Sequence, residues 1–421
     1  MNYVFDVLIW IGYIIQALFL LLGAYYFTIS IFSFIPKKER KIVDDRYHDY
    51  ALVVAAHNEE QVIEHMVESL TKLNYPKDKY SIFVIADNCT DKTAEIARNA
   101  GAEVFERTNN TERGKGFALE WMFDKIYNME RKYDSVVIFD ADNIVDKDFL
   151  YHINEQNKRG YKVVQGYIDS KNPNDSWVSY SYSLGFWSTN KLFQVSRYKL
   201  GLGCQLCGTG FSVELDVLRD IGWGATCLTE DMEFTMKLCM NNIRVSFAYD
   251  AIVYDEKPIT FKQSWNQRVR WMQGHADVFC RFFTKCMKKA FKEHSIFPFD
   301  CALYLFMPIR IITMGVITAM GYAWIVYPDN SLVLLNVLNN LHPWCSWFVA
   351  ALAICQYLWL PFVMLVEKRI SGRTLWGYIT YIVYSFSWIP IAIVGFAKKN
   401  QHEWHHTQHT RNIKISDIDQ K

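Results

Sequence analysis

The sequence predicts an α/β domain on a largely parallel sheet, tied to a membrane by apolar helices at both ends of the chain. Three observations carry this. Short apolar runs alternate with helical patterns from Ala51 to about Arg131, as expected of strand–helix units in a parallel sheet. A polar cluster stands directly after each of several of those runs, at the strand ends beyond which ligands bind in such sheets. Two long apolar blocks, Val7–Ile35 and most of Phe297–Ala397, flank this central region of ordinary composition.

The length of 421 residues allows two or three domains at roughly 150 residues each. Hydrophobic residues make up 51% and charged residues 21%, slightly more apolar than an ordinary soluble chain. Because the excess is confined to the two blocks, a disordered chain, a collagen and a many-helix transporter are excluded. A net charge of +1 creates no global field toward nucleic acid, so no nucleic-acid partner is expected. The ten cysteines form no regular framework and read as reduced, buried thiols. Cys204-x-x-Cys207 has no second pair to complete a zinc site.

Residues 1–36 form the first element, an anchor. Val7–Ile35 carries no charge over 29 residues and is followed by Pro36-Lys37-Lys38-Glu39-Arg40-Lys41. That is long enough to cross a bilayer, and the basic flank puts the next domain in the cytosol. A secretory leader is disfavoured by the length of the run and the lack of preceding basic residues. Residues 297–397 form a second membrane region. Ala302–Tyr327 and Trp344–Val366 read as spans, and Glu367-Lys368-Arg369 with Arg373 marks a return to the cytosol. Leu375–Ala397 is rich in Tyr, Ser and Trp and contains Pro390, which suits an in-plane or re-entrant helix and leaves three true crossings. Arg310 is costly inside a span, so it should face a polar interior or a channel. Residues 260–296 read as an amphipathic interface helix. There Arg281, Lys285, Lys288, Lys289 and Lys292 interleave with Phe282, Phe283 and Phe291, as for a helix lying on anionic membrane lipids. The alternative is a solvated basic face.

The central domain, 48–275, carries the chemistry. Ala51–Ala55 leads to His57-Asn58-Glu59-Glu60, and Ile82–Ala86 leads to Asp87, with Asp91 as a helix cap. Asp87 itself could bond a base or ribose, or simply cap. Lys115, between Gly114 and Gly116, could reach a diphosphate or be an ordinary loop lysine. Val136–Phe139 runs into Asp140-x-Asp142. Two carboxylates there suit Mg²⁺ or Mn²⁺ completed by substrate phosphates; the plain alternative is a surface turn. Thr229-Glu230-Asp231 precedes a helix, where acids are favoured by the dipole in any case, yet a carboxylate apart from the metal pair is what general-base chemistry on a hydroxyl needs. Gln267-Arg268-Val269-Arg270-Trp271 offers a guanidinium for phosphate and a flat ring for a sugar, or a core tryptophan beside a solvated arginine.

Taken together and in this order, Asp87, Asp140-x-Asp142, Thr229-Glu230-Asp231 and Gln267-x-x-Arg270-Trp271 resemble the membrane-integrated processive β-glycosyltransferases of family 2. Cellulose synthase catalytic subunits and poly-N-acetylglucosamine synthases are its best-known members. The resemblance implies a GT-A-type nucleotide-sugar-binding domain and inverting, processive transfer from a UDP-sugar donor, UDP-GlcNAc or UDP-glucose, to a growing polysaccharide acceptor. The alternative is a single transfer onto a lipid carrier. The resemblance assigns the uridine end to Glu59 and Asp87, nucleotide and metal to Asp140 and Asp142, and base chemistry to Asp231 beside Glu230. Gln267, Arg270 and Trp271 then contact the donor diphosphate and the acceptor sugar, and Lys115 the leaving diphosphate. Cys207-Gly208-Thr209-Gly210 lines the acceptor site. Residues 398–421, with Trp404 and Thr407 among His402, His405, His406 and His409, resemble a gating loop that closes over the nucleotide. Thr229 departs from the Gly found in hyaluronan and chitin synthases, which lowers hyaluronan as product, and Asn143 replaces the His or Thr of several relatives, leaving metal preference open. So few spans build a translocation channel only with help from interface helices or an accessory membrane subunit.

Overall fold

The computed structural model describes residues 2–224, 226–326, 333–334, 344–401, 411 and 413. Its centre is one sheet of eight strands in the order β3-β2-β1-β4-β7-β6-β8-β5. The strands are β1 (Tyr50–Ala56), β2 (Tyr80–Asp87), β3 (Glu103–Arg107), β4 (Ser135–Asp140), β5 (Ile144–Val145), β6 (Val163–Ser170), β7 (Phe211–Glu214) and β8 (Ser246–Asp255). Strand β1 shows why its run is unbroken. Ala51 and Val53 enter one core with Phe83, Leu119 and Ile138, while Leu52 and Val54 enter a second core with Met66, Leu70 and Phe149 on the other face. Both faces are covered, so alternation of polar and apolar residues is absent.

The first four strands pair in parallel, with Val53 opposite both Phe83 and Ile138. β6 and β8 also pair in parallel, so the expectation of a mostly parallel sheet holds for four of the seven pairings. β7 runs antiparallel to both β4 and β6, and β5 runs antiparallel to β8. The sheet is therefore mixed. β7 enters from the 201–210 loop instead of from a crossover helix, so it returns beside β4 in the opposite sense. This brings that loop to the carboxyl end of β4, next to Asp140.

One helix, Phe261–Glu293, joins the Gln267–Trp271 pentad to the basic segment. Thr260 and Gln263 form a reciprocal capping box at its start, and His294 ends it at φ +48°. Two of its faces are fixed by glycines. A Cβ on Gly274 would lie 2.4 Å from Thr229 Oγ1, and one on Gly395 would lie 2.4 Å from Met272 Cβ. The helix is thus clamped between the Thr229 turn and the helix Trp388–Ala397. Arg268, fully buried, donates to Ser387 Oγ at 2.8 Å and seals that contact.

The basic face differs from expectation. Arg281 is paired with Glu233 and Asp277, each at 3.0 Å, and Lys289 with Glu293 at 2.6 Å. Lys285, Lys288 and Lys292 stay exposed beside Phe291, which is 69% exposed.

Among the described residues, two stretches, Ile9–Phe34 and Thr374–Ala397, are long and apolar enough to cross a membrane, and Ile296–Leu305 with Met307–Ala323 forms a pair bent by 57°. The segment expected to lie in the membrane plane is therefore itself of spanning length, as helices Thr374–Phe386 and Trp388–Ala397. Its polar residues are used inside the protein: Tyr384 packs with Tyr182, and Ser387 takes the Arg268 bond. Arg310 lies in the first turns of Met307–Val326, against the ring of Tyr26. The family-like gating tail, including Trp404 and Thr407, falls outside the described residues.

Candidate active site

The strand ends build the site in order. After β1, Asn58 turns at φ +55°, and its Oδ1 accepts from Thr90 N at 2.8 Å. Glu59 N donates to Thr93 Oγ1 at 2.8 Å, and Glu59 is 6% exposed. His57 Nδ1 meets the Asp87 carbonyl at 2.7 Å. The β1 and β2 loops are thereby locked to each other, with Glu59 and Asp87 on adjacent strands. Asp91 does start the next helix, accepting from Thr93 N at 3.0 Å.

Asp87 is buried against Arg107, whose Nη1 donates to it at 2.7 Å. Sequence reading missed Arg107. It closes the short β3, and nothing local marks it as the partner of a residue on the neighbouring strand.

At the end of β4, the backbone N of Asp140 donates to Thr209 Oγ1 at 3.1 Å and to Asn143 Oδ1 at 3.2 Å. The Thr209 hydroxyl in turn donates to Asn143 Oδ1. Thr209 thus braces the Asp140–Asn143 turn, and its hydroxyl is spent there instead of facing an acceptor. The Asp142 carboxylate is drawn inward, accepting from Glu256 N at 3.2 Å and Asn143 Nδ2 at 3.4 Å. Asp140 points the other way, to Lys115.

Lys115 is the hinge of the arrangement. Its Nζ donates to the Asp140 carboxylate and to the Gly208 carbonyl, the latter at 2.6 Å. Gly208 adopts φ +82°, and a Cβ there would sit 3.6 Å from Asp231 Oδ2. Asp140, Lys115, Gly208 and Asp231 are therefore contiguous. Burial works against the Lys115 charge, yet Asp140, Glu230 and Asp231 outweigh it and raise the lysine's pKa.

The helix Glu230–Met240 presents Asp231 in its first turn, where Asp231 Oδ1 accepts from Met232 N at 2.8 Å. Loss of water around the carboxyl, and then the adjacent Glu230, push Asp231 above the ordinary carboxylate range; the Met232 amide and Lys115 oppose this. Glu230 is also raised by burial, against the pull of Lys115 and Arg270. Burial, followed by Asp231, pushes the Cys207 thiol up to about 12, so Cys207 stays a neutral thiol.

The 201–210 loop owes its shape to two glutamines that sequence reading missed. Gln165 accepts from Cys207 N at 2.9 Å and donates to Thr209 O at 2.9 Å, and Gln194 both accepts from Gln205 N and donates to Gln205 O. The available signal for Gln165 is one amide inside the apolar run Val163-Val164-Gln165. Gln194 belongs to a π-helix, Thr189–Val195, a form that clusters at functional sites.

On the long helix, Trp271 packs edge-on to Tyr182 and Phe186. Gln267 Oε1 is buried without a hydrogen-bond partner. A buried acceptor left unsatisfied is costly, and a ligand hydroxyl would satisfy it.

The cation question turns on the donors. Among the described residues no group of three or more His, Cys, Asp or Glu converges as a metal cage. One crevice-facing carboxylate, Asp140, with Asp142 behind it, is instead the donor set of a magnesium-type site completed by substrate phosphates.

A nucleotide-sugar transferase built on the GT-A fold is the class these features define. A model of the glycosyltransferase-like family 2 matches residues 48–274, over half of the chain, and the chain belongs to that family. Among curated relatives, the probable glycosyltransferase YdaM of Bacillus subtilis is 25% identical over 94% of this chain and 92% of its own length. A beta-monoglucosyldiacylglycerol synthase of Nostoc is 29% identical over 57% of this chain and 51% of its own. A poly-beta-1,6-N-acetyl-D-glucosamine synthase of Staphylococcus aureus is 29% identical over 63% of each. The chain thus spans about half to two thirds of the length of the last two. Among solved structures, a mannosyltransferase from Pyrobaculum calidifontis in complex with GDP-Man and Mn²⁺ matches 93% of this chain and 99% of its own, with a TM-score of 0.60 at 16% identity, a likeness of fold. The protein is a glycosyltransferase.

Proposed function

We propose that the chain is an inverting, processive transferase that polymerises a UDP-sugar, UDP-GlcNAc or UDP-glucose, into a β-linked polysaccharide at a membrane. The observation that carries the chemistry is the Lys115 bridge, which sets the donor-side Asp140 beside the Gly208–Asp231 contact. Asp231 takes the proton of an acceptor hydroxyl, and the freed oxygen attacks the anomeric carbon. The bond from that carbon to the diphosphate breaks on the opposite face, and UDP leaves with the electron pair. Lys115 and Arg270 place positive charge where negative charge develops, the form of stabilisation that contributes most in such sites. Asp140, with Asp142 behind it, would hold Mg²⁺ or Mn²⁺, which would supply Lewis-acid neutralisation of the diphosphate.

Glu59 and Asp87 hold the uridine end. The unsatisfied Gln267 Oε1 and the Trp271 ring suit a sugar of the acceptor. Processive synthesis is supported by the poly-N-acetylglucosamine synthase relative and by the motif resemblance, and the basic residues after Ile35 support a cytosolic catalytic domain.

The test is UDP release and product length from membranes given a panel of UDP-sugars with Mg²⁺ or Mn²⁺, with Asp231→Asn as control. A long polymer lost in the variant is the expected result. One sugar added to a lipid would replace processive synthesis with the glycolipid reading. No release with any donor, together with no UDP binding by calorimetry, would overturn the reading entirely.

A further inference from the structure

Arg310 is a charge without a counter-charge. Its guanidinium lies over the Tyr26 ring at 4.5 Å, and among the described residues no carboxylate pairs with it. The nearby Asp300 is already used: Arg197 binds both its oxygens, at 2.7 and 2.8 Å, and Tyr25 donates to one at 2.9 Å. Neither Tyr26 nor Tyr304 has a hydroxyl hydrogen bond among the described residues, and both residues are half-buried.

These groups lie at the domain-side ends of their helices. Tyr26 precedes the end of the Asn2–Ile31 helix, and Arg310 is in the first turns of Met307–Val326. At 1.5 Å per residue, both are within roughly 8 Å of an end of their helices, nearer the boundary than the centre of a bilayer core about 30 Å thick. A continuous row of side chains leads from there to the catalytic carboxylate. Tyr304 packs on Phe193 of the π-helix at 5.3 Å, the adjoining Gln194 donates to Cys207 Sγ at 3.4 Å, and Tyr304 is within electrostatic reach of Cys207 and Asp231.

We infer that Arg310, with Tyr26 and Tyr304, binds the phosphate group of a membrane lipid at the domain-side ends of the apolar helices. An unpaired guanidinium in an apolar belt needs an anion, and its planar fork matches phosphate bidentately. Two tyrosine hydroxyls add donors of the same preference. The inference presupposes the membrane placement proposed above and is independent of which sugar is transferred.

The experiment uses the full chain purified in a maltoside detergent. Its melting temperature is followed while phosphatidylglycerol, a phosphate-free galactosyl diacylglycerol or inorganic phosphate is added. Phosphatidylglycerol alone is expected to stabilise the protein. Arg310→Gln should weaken that response at least tenfold in lipid concentration, Arg310→Lys should weaken it less because the charge is kept and only the bidentate fork is lost, and UDP binding by calorimetry should be unchanged in both. An equal response to the galactolipid or to inorganic phosphate, or an undiminished response in Arg310→Gln, overturns the site. If Arg310→Gln also loses UDP binding and so fails to fold, Tyr26→Phe and Tyr304→Phe carry the test, and an undiminished response in both overturns it. Intact UDP binding keeps failure of this site distinct from failure of the transferase reading.

Discussion

Lys115 Nζ joins the carboxylate of Asp140 to the carbonyl of Gly208, 2.6 Å away, so one charge spans the end of β4 and the loop that touches Asp231. Replacing Lys115 by Met should lower kcat/KM for the donor by about 10²–10³, in line with the loss of one preorganised donor. Steady-state UDP release checks this, and a loss below tenfold would remove Lys115 from the site.

Asp231→Asn should reduce kcat by about 10²–10⁴, the range for a general base, while calorimetric UDP binding persists. A variant that retains half of its activity would exclude Asp231 as the base.

The pH profile follows from the direction of the Asp231 shift. The base acts only when ionised, so activity is present above its pKa and lost as pH falls through it. Burial and Glu230 raise that pKa, so the acid limb of kcat should lie above the ordinary aspartate value of about 4. Glu230→Gln removes a neighbouring negative charge and should move the limb to lower pH. Lys115→Met, in whatever activity remains, should move it to higher pH. Displacement in the same direction in both variants would contradict the assignment.

Arg107→Met leaves Asp87 buried without its cation. A loss of stability of about 3–5 kcal/mol is expected from breaking one side of a buried pair, measured by denaturant unfolding. Arg107→Met combined with Asp87→Leu should recover part of the stability but not UDP affinity, because the proposed uridine contact is gone.

Gly274 is packed so closely on Thr229 that any Cβ must displace the turn before Asp231. Gly274→Ala should cost about 1–3 kcal/mol from overpacking and lower kcat more than UDP affinity, since it is the base side that shifts. Separate kcat and UDP-binding measurements decide it; equal losses in both would show that the whole site has moved.

Much of the site was legible because each strand ends in its own functional residue. The runs before Asp87 and Asp140 are apolar on both faces, so the first polar residue after each had to emerge at the sheet's edge. Arg107, Gln165 and Gln194 were not legible for the opposite reason. Each acts on a residue of another segment, and although the amide of Gln165 stands out in its apolar run, nothing local names the partner of any of the three. Thr209 was placed on the acceptor side by its loop, yet its hydroxyl turns back to Asn143.

The sequence by itself determined the α/β character of residues 48–274 and the spanning-length N-terminal apolar helix, and it singles out Asp140 and Asp231 as candidates, since these rest on local patterns of burial and charge. Only the tertiary structure decided that β7 runs antiparallel, that Lys115 joins Asp140 to the Gly208 loop, and that the long helix is held between the Thr229 turn and the helix Trp388–Ala397. Those relations arise from packing between segments tens of residues apart, where strand direction and close backbone approach depend on what lies across the fold.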